Sequence, residues 1–153
     1  MANTAIIRPP GDMAVVSVPV PPSVNALYRN VAGRGRVKTK EYSDWFAVAH
    51  RELRRQSWDR VPGKVIVCMK VSRLGPAADL DNRIKATLDL MVKTKLMDDD
   101  RHVVGLSACW SDHKDGQVLV AVMKATSMDF KFHLSADGGG GSWFINPPDK
   151  DAA

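Results

Sequence analysis

The chain is organised around one stretch, Asp79-Leu80-Asp81-Asn82-Arg83-Ile84-Lys85, which is followed further along by Asp98-Asp99-Asp100. Together with Asp89, these positions concentrate negative charge in a chain whose formal net charge is +5. Crowded carboxylates repel one another, and a hard divalent cation with oxygen ligands, Mg²⁺ or Mn²⁺, relieves that repulsion. The pattern therefore predicts a metal site with a lysine beside it.

The spacing of these residues supports that interpretation. Asp79 and Asp81 are two residues apart, so in an extended backbone their side chains point to the same side and can share a cation. Lys85 lies four residues after Asp81, so both can face the same way where a helix begins. The plainer alternative is that Asp81 caps this helix, Asp79 is solvated and the triplet is a polar turn. Taken together, the acids and the lysine favour metal-assisted phosphodiester hydrolysis.

Length and composition narrow the class of protein. The chain has 153 residues, 44% of them hydrophobic, which suits one domain with a real core. No apolar run reaches the length of a membrane span, and the first residues lack a signal-peptide pattern. The two cysteines form no C-x-x-C motif, so we expect buried thiols in a cytoplasmic protein. Residues 1–126 carry 20 basic and 13 acidic residues, as expected for an enzyme that acts on a polyanion.

The apolar periodicity predicts an α+β fold: a single domain with a mixed four-stranded β-sheet and helices in β-α-β-α-β-β order. The predicted elements are strands at 13–20, 64–71, 102–110 and 117–123, and helices at 40–57 and 82–93. We divide the chain into a flexible N-terminal tail (1–12), the main domain (13–126) and a Gly-rich flexible C-terminal tail (127–153). The apolar cluster within this last tail is a candidate docking segment for a protein partner.

A basic loop lies between the first strand and the first helix. Gly33-Arg34-Gly35-Arg36-Val37-Lys38 combines flexible glycines with three cations, and Arg29 precedes it. One interpretation is an ordinary solvated loop; the other is a flap that contacts phosphates. The first helix has further arginines on its outer face, which extend the basic surface.

Three segments, in this order, resemble one known family. Val20 to Arg29 is similar to its Pro-Pro-Ser-x-Asn segment, Asp79 to Asp89 to its Asp-Leu-Asp-Asn-x-x-Lys-Ala signature, and Asp99 to Val104 to its Asp-Asp pair before a strand. The family is that of the RusA Holliday junction resolvases of bacteria and their phages. The resemblance covers roughly residues 14–125, so we expect the main domain to be a RusA-like nuclease domain.

The resemblance implies roles for individual residues. Asp79, Asp81 and Asp100 correspond to the acids that carry the metal chemistry, with Lys85 assisting, and Asp99 is the reserve choice because the triplet leaves the register open. The family uses Mg²⁺ or Mn²⁺ and acts as a homodimer whose two sites nick opposed strands of branched DNA, a four-way junction.

One departure from the family bears on DNA binding. Members often carry an arginine cluster just before the first acid, whereas Arg73 stands alone here. The predicted DNA-binding residues are therefore Arg29, Arg34, Arg36, Lys38 and Arg73. Two alternative functions stay open at this point: a less selective nuclease for flaps, forks or single strands, and a DNA-structure-binding accessory protein that does not cut.

Overall fold

The computed structural model describes residues 11–126 and 129–146. The elements in chain order are β1 (Met13–Pro19), β2 (Tyr28–Val31), β3 (Gly35–Lys38), α1 (Lys40–Leu53), β4 (Val65–Val71), α2 (Ile84–Lys93), β5 (Val103–Trp110), β6 (Gln117–Lys124), β7 (Asp129–Leu134) and β8 (Gly141–Asn146).

Four strands form one mixed sheet in the spatial order β1-β6-β4-β5. Strand β4 is central: it runs antiparallel to β6 and parallel to β5, and α2 makes the crossover between the two parallel strands. The apolar run of β4 explains this position, because Val65, Val67, Met69 and Val71 are all fully buried. The predicted α+β class with a mixed four-stranded sheet is confirmed.

Both helices pack on the same face of the sheet. In α1, Thr39 caps the first turn by accepting a hydrogen bond from the backbone N–H of Tyr42 at 3.1 Å. The helix buries Tyr42, Trp45, Ala49 and Leu53. Among the described residues, no helix is both long and apolar enough to cross a membrane.

Strands β2 and β3 form a hairpin that the sequence analysis read as a loop. They pair antiparallel from Tyr28↔Lys38 to Val31↔Gly35. Gly33 and Gly35 have φ values of +73° and +68°, which a residue with a side chain rarely adopts. We call residues 28–38 the basic hairpin. The predicted order β-α-β-α-β-β is therefore incomplete, because these short exposed strands lack the alternating apolar pattern that marks a strand.

A second hairpin, β7–β8, lies in the segment for which no strand was predicted. It contacts the sheet face opposite the helices: Lys70 donates a hydrogen bond to Ser142 Oγ at 3.1 Å, and the buried Cys109 thiol lies 3.7 Å from the carbonyl of Gly141. A Cβ at Gly140 would lie 2.7 Å from the carbonyl oxygen of Trp110, so only glycine permits this approach. The proposed tail boundaries stay predictions, and residues 1–10, 127–128 and 147–153 lie outside the described residues.

Candidate active site at the start of the second helix

The acidic stretch is positioned by a short turn that begins α2. Residues Asp81–Arg83 form a 3-10 turn that continues directly into the helix. The Arg83 guanidinium donates a hydrogen bond to the carbonyl of Pro21 at 2.6 Å, and Thr87 Oγ1 donates to the carbonyl of Arg83 at 2.9 Å. The first bond joins two segments that are distant in sequence, and the second lies within the first turn of α2. Both segments carry the family resemblance, yet the sequence analysis gave Arg83 no role.

Lys85 is the centre of the site. Its ammonium Nζ lies 2.7 Å from Asp100 Oδ2 and 2.8 Å from Asp89 Oδ1. The hydrogen bond to Asp100, followed by the one to Asp89, raises the pKa of Lys85. Lys85 is therefore held as a cation and is unsuited to act as a general base. About half of its side chain (53%) is exposed, so the charge faces solvent.

Asp89 belongs to this site, although the sequence analysis did not select it as a site residue. The signal was its spacing, because residues four apart on a helix are neighbours, and Asp89 follows Lys85 by four. The charges of Asp89 and Lys85 also act on Tyr42 of α1. Its burial, followed by the negative charge of Asp89, raises the pKa of Tyr42 to about 12, so its hydroxyl stays neutral.

The two acids at the start of the stretch are exposed and differ in their contacts. Asp79 accepts a hydrogen bond from the Asn82 side-chain amide at 3.1 Å. Asp81 caps neither the 3-10 turn nor α2, since neither element has a side-chain cap at its first turn. The alternative that Asp81 caps this helix is therefore wrong. Both carboxylates face solvent at the entrance to α2.

The three acids of the triplet have three different partners. Asp98 accepts hydrogen bonds from the backbone N–H of Gly63 at 3.0 Å and from the Arg60 guanidinium, and these bonds lower its pKa. Asp99 accepts from the backbone N–H of Arg101 at 3.0 Å, which caps a 3-10 turn and lowers the pKa of Asp99. Asp100 is the member of the triplet that contacts Lys85.

The carboxylate oxygens at the site suit a hard cation, although they are not close enough together to coordinate one ion. Within the described ranges, no three His, Cys, Asp or Glu side chains lie close enough to hold a metal ion. The oxygen-only donors of Asp79, Asp81 and Asp100 match the preference of Mg²⁺ and Mn²⁺. The first two are exposed and can reorient. The residues present therefore fit such an ion in chemistry.

The basic hairpin lies beside this site. Lys38 Nζ is 5.4 Å from the centre of the Tyr42 ring. The pKa of the same tyrosine responds to the charges of Asp89 and Lys85. The Arg36 guanidinium lies 4.7 Å from the centre of the Tyr28 ring. These cations are exposed, as is the predicted pair Arg29 and Arg34.

Arg73 is engaged elsewhere. Its guanidinium donates a hydrogen bond to the carbonyl of Pro76 at 3.0 Å and lies 5.4 Å from the centre of the Trp110 ring. Because of these local contacts, the predicted DNA-binding role has less support for Arg73 than for the residues of the basic hairpin.

An acidic site with a fixed lysine cation, set beside a basic hairpin on an α+β domain, is an arrangement suited to an enzyme that acts on a polyanion. Residues 18–123 match the model of the family described as Endodeoxyribonuclease RusA. Because the match covers more than half of the chain, the chain belongs to that family. Membership indicates an endodeoxyribonuclease that acts on Holliday junctions, in a family whose nucleases generally depend on divalent metals. No curated protein matches the chain.

Proposed function

We propose that this protein is a metal-dependent, homodimeric endonuclease that resolves Holliday junctions and related branched DNA by paired phosphodiester hydrolysis. The observation that carries the proposal is the ammonium of Lys85, held at 2.7 Å from Asp100 and 2.8 Å from Asp89 within the region that matches the family. Two cuts in opposed strands require two sites, which a homodimer provides. We place this activity in the cytoplasm of a bacterium or of a phage-infected cell.

Asp79, Asp81 and Asp100 are the proposed ligands of Mg²⁺ or Mn²⁺. The bound cation supplies the positive charge that polarises a phosphoryl oxygen and activates water. Asp100 is preferred over Asp99 as the third ligand, because Asp99 is committed to Arg101 and to the cap of its own turn. Asp81 has no capping role to compete with a cation.

Lys85 contributes a positioned positive charge. In the free protein, Asp89 and Asp100 neutralise its ammonium. When a phosphate enters the site, the same ammonium can stabilise the negative charge that grows on the phosphoryl oxygens or on the leaving oxygen. Its raised pKa keeps it cationic at neutral pH, so Lys85 acts electrostatically and takes no proton from water.

The proposed DNA-binding residues divide into two groups. Arg29, Arg34, Arg36 and Lys38 belong to the basic hairpin, where they are exposed and ready to contact phosphates without reading sequence. Arg73 is the fifth proposed residue. Its bond to Pro76 and its contact with Trp110 leave it less free.

That commitment of Arg73 favours a second candidate, a nuclease with weaker preference for junctions that also cuts flaps, forks or single strands. The third candidate function is that of an accessory protein that binds DNA structures and does not cut them. Competition between a labelled four-way junction and unlabelled linear duplex separates the first two, and strand cleavage excludes the third.

The decisive experiment compares Asp81→Asn with the wild-type protein on a synthetic four-way junction, with and without Mg²⁺ or Mn²⁺. We expect the variant to bind the junction and to lose nicking, because the substitution removes a ligand charge and keeps the side-chain shape. Asp59→Asn is the matched control, since it removes an exposed carboxylate outside the site. Products are sized on a denaturing gel. Cleavage by Asp81→Asn at the wild-type rate would show that the site is assigned wrongly.

A further inference from the structure

One flank of α1 carries a row of aromatic and basic side chains that the proposed function does not use. The row consists of Phe46 and His50 in α1 and of Arg54, the C-cap residue, whose backbone is still helical. Their spacing of four residues places them on one side of the helix. The rings of Phe46 and His50 are stacked, with centres 6.2 Å apart. Lys38 Nζ lies 6.0 Å from the centre of the Phe46 ring, so the row begins on the basic hairpin.

Charge is unevenly distributed around this helix. With about 100° of rotation per residue, Glu41 and Glu52 fall on the flank opposite the row. Asp44 is paired with Lys40 at 2.5 Å on the exposed side. Within the described ranges, Lys38 and Arg54 form no ion pair, so both cations are available to an outside partner.

The row is continuous with the active site. Tyr42 lies one turn before Phe46 in α1, and their ring centres are 6.3 Å apart. Lys38 Nζ lies 5.4 Å and 6.0 Å from the centres of the Tyr42 and Phe46 rings, and α1 contacts α2, the helix that carries Lys85 and Asp89. A strand that enters the site can therefore continue along α1 without crossing an acidic surface.

We propose that one duplex arm of the DNA substrate lies along this row, with Lys38, His50 and Arg54 contacting successive phosphates of one strand. The proposal rests on the proposed function and extends it to the path of an arm. Phe46 to Arg54 spans about 12 Å of helix. That length faces roughly three to four phosphates, since one strand has a charge every ~3.4 Å along the axis.

The limited exposure of the two rings favours contact with the phosphate backbone of DNA over stacking with unpaired bases. Phe46 and His50 are only partly exposed and already stack on each other, so neither offers a free face to a base. The charged ends of the row are exposed. Contacts of this kind bind any sequence and weaken with salt.

The test is the salt dependence of binding for Arg54→Gln, with Arg55→Gln as the matched control. Arg54 is the C-cap residue of α1 and keeps a helical backbone, whereas Arg55 is also exposed but lies in the turn that follows the helix, outside the row. Binding of a four-way junction and of a linear duplex is measured over a range of salt concentrations without divalent metal. We expect Arg54→Gln to reduce the slope of log K against log salt by about one for both DNAs. Arg55→Gln should leave the slope unchanged.

An unchanged slope for Arg54→Gln would overturn the proposal and assign the row to another partner, such as an acidic protein surface. An equal change in both variants would also overturn it, because a general loss of charge would then explain the effect. Cleavage assays separate this failure from failure of the proposed function. If the protein cuts junctions but Arg54→Gln leaves the slope unchanged, only the proposed path of the arm is wrong. If Arg54→Gln changes the slope but the protein does not cut, only the proposed nuclease activity is wrong.

Discussion

Replacing Lys85 with glutamine tests the central contact of the site. Lys85 is 53% exposed, so its two ion pairs are partly screened by water and contribute only about 0.2–1 kcal/mol to stability. For a chain of this size, such a loss lowers Tm by no more than about 4 °C. The expected effect on catalysis is much larger. Removing one positioned group that stabilises transition-state charge costs about 2.7–4 kcal/mol, or roughly 100- to 1,000-fold in rate.

The assay is single-turnover cleavage of a four-way junction under saturating protein, together with a thermal melt. Lys93→Gln is the matched control, because Lys93 is an exposed lysine on the same helix that forms no ion pair among the described residues. Lys85→Arg should recover part of the rate, since it restores the charge. Cleavage by Lys85→Gln within about threefold of wild type would refute the electrostatic role. A loss of Tm well beyond about 4 °C would show that the contacts are structural.

Two further predictions concern residues outside the catalytic group. Asp98 has a lowered pKa because of Gly63 and Arg60, so its stabilising contribution is present above the ordinary carboxyl pKa and is lost as pH falls through the folded value. Asp98→Asn should therefore lower Tm near pH 7, and the difference should shrink as pH falls below the ordinary carboxyl pKa; a constant difference would contradict this. Gly140→Ala should increase hydrogen exchange in β7–β8, because its Cβ would lie 2.7 Å from a carbonyl oxygen, whereas Gly139→Ala meets only ordinary contacts. Equal exchange in the two variants would show that the close approach is unimportant.

The sequence was informative wherever the hydrophobic pattern depends on a single strand or helix. The run of β4 is largely apolar because one face of the strand is fully buried and the other is partly buried, and its hydrophobicity alone predicted a strand at 64–71. The spacing of the buried residues of α1 follows from the helical repeat, which predicted a helix at 40–57. Three segments in order, with the signature around Asp79 to Asp89 in the middle, predicted the family to which the chain belongs.

The hairpins were missed for two physical reasons. Strands β2 and β3 are short and exposed, so no alternation of apolar and polar residues marks them. Strands β7 and β8 flank a glycine run that suggests a flexible spacer. In the structure, Gly140 and Gly141 instead pass so close to neighbouring atoms that no side chain fits. Glycine that permits a close approach and glycine that provides flexibility look the same in a sequence.

By itself, the sequence determined the fold class, the core strands and helices, the charge balance and the concentration of acids along the chain around Lys85. Only the tertiary structure decided which acids meet that lysine. Adjacent residues of the triplet point to different neighbours, so Asp98 bonds Arg60, Asp99 caps its own turn and Asp100 reaches Lys85. Periodicity describes one element at a time, whereas these contacts join elements whose relative positions are set by packing.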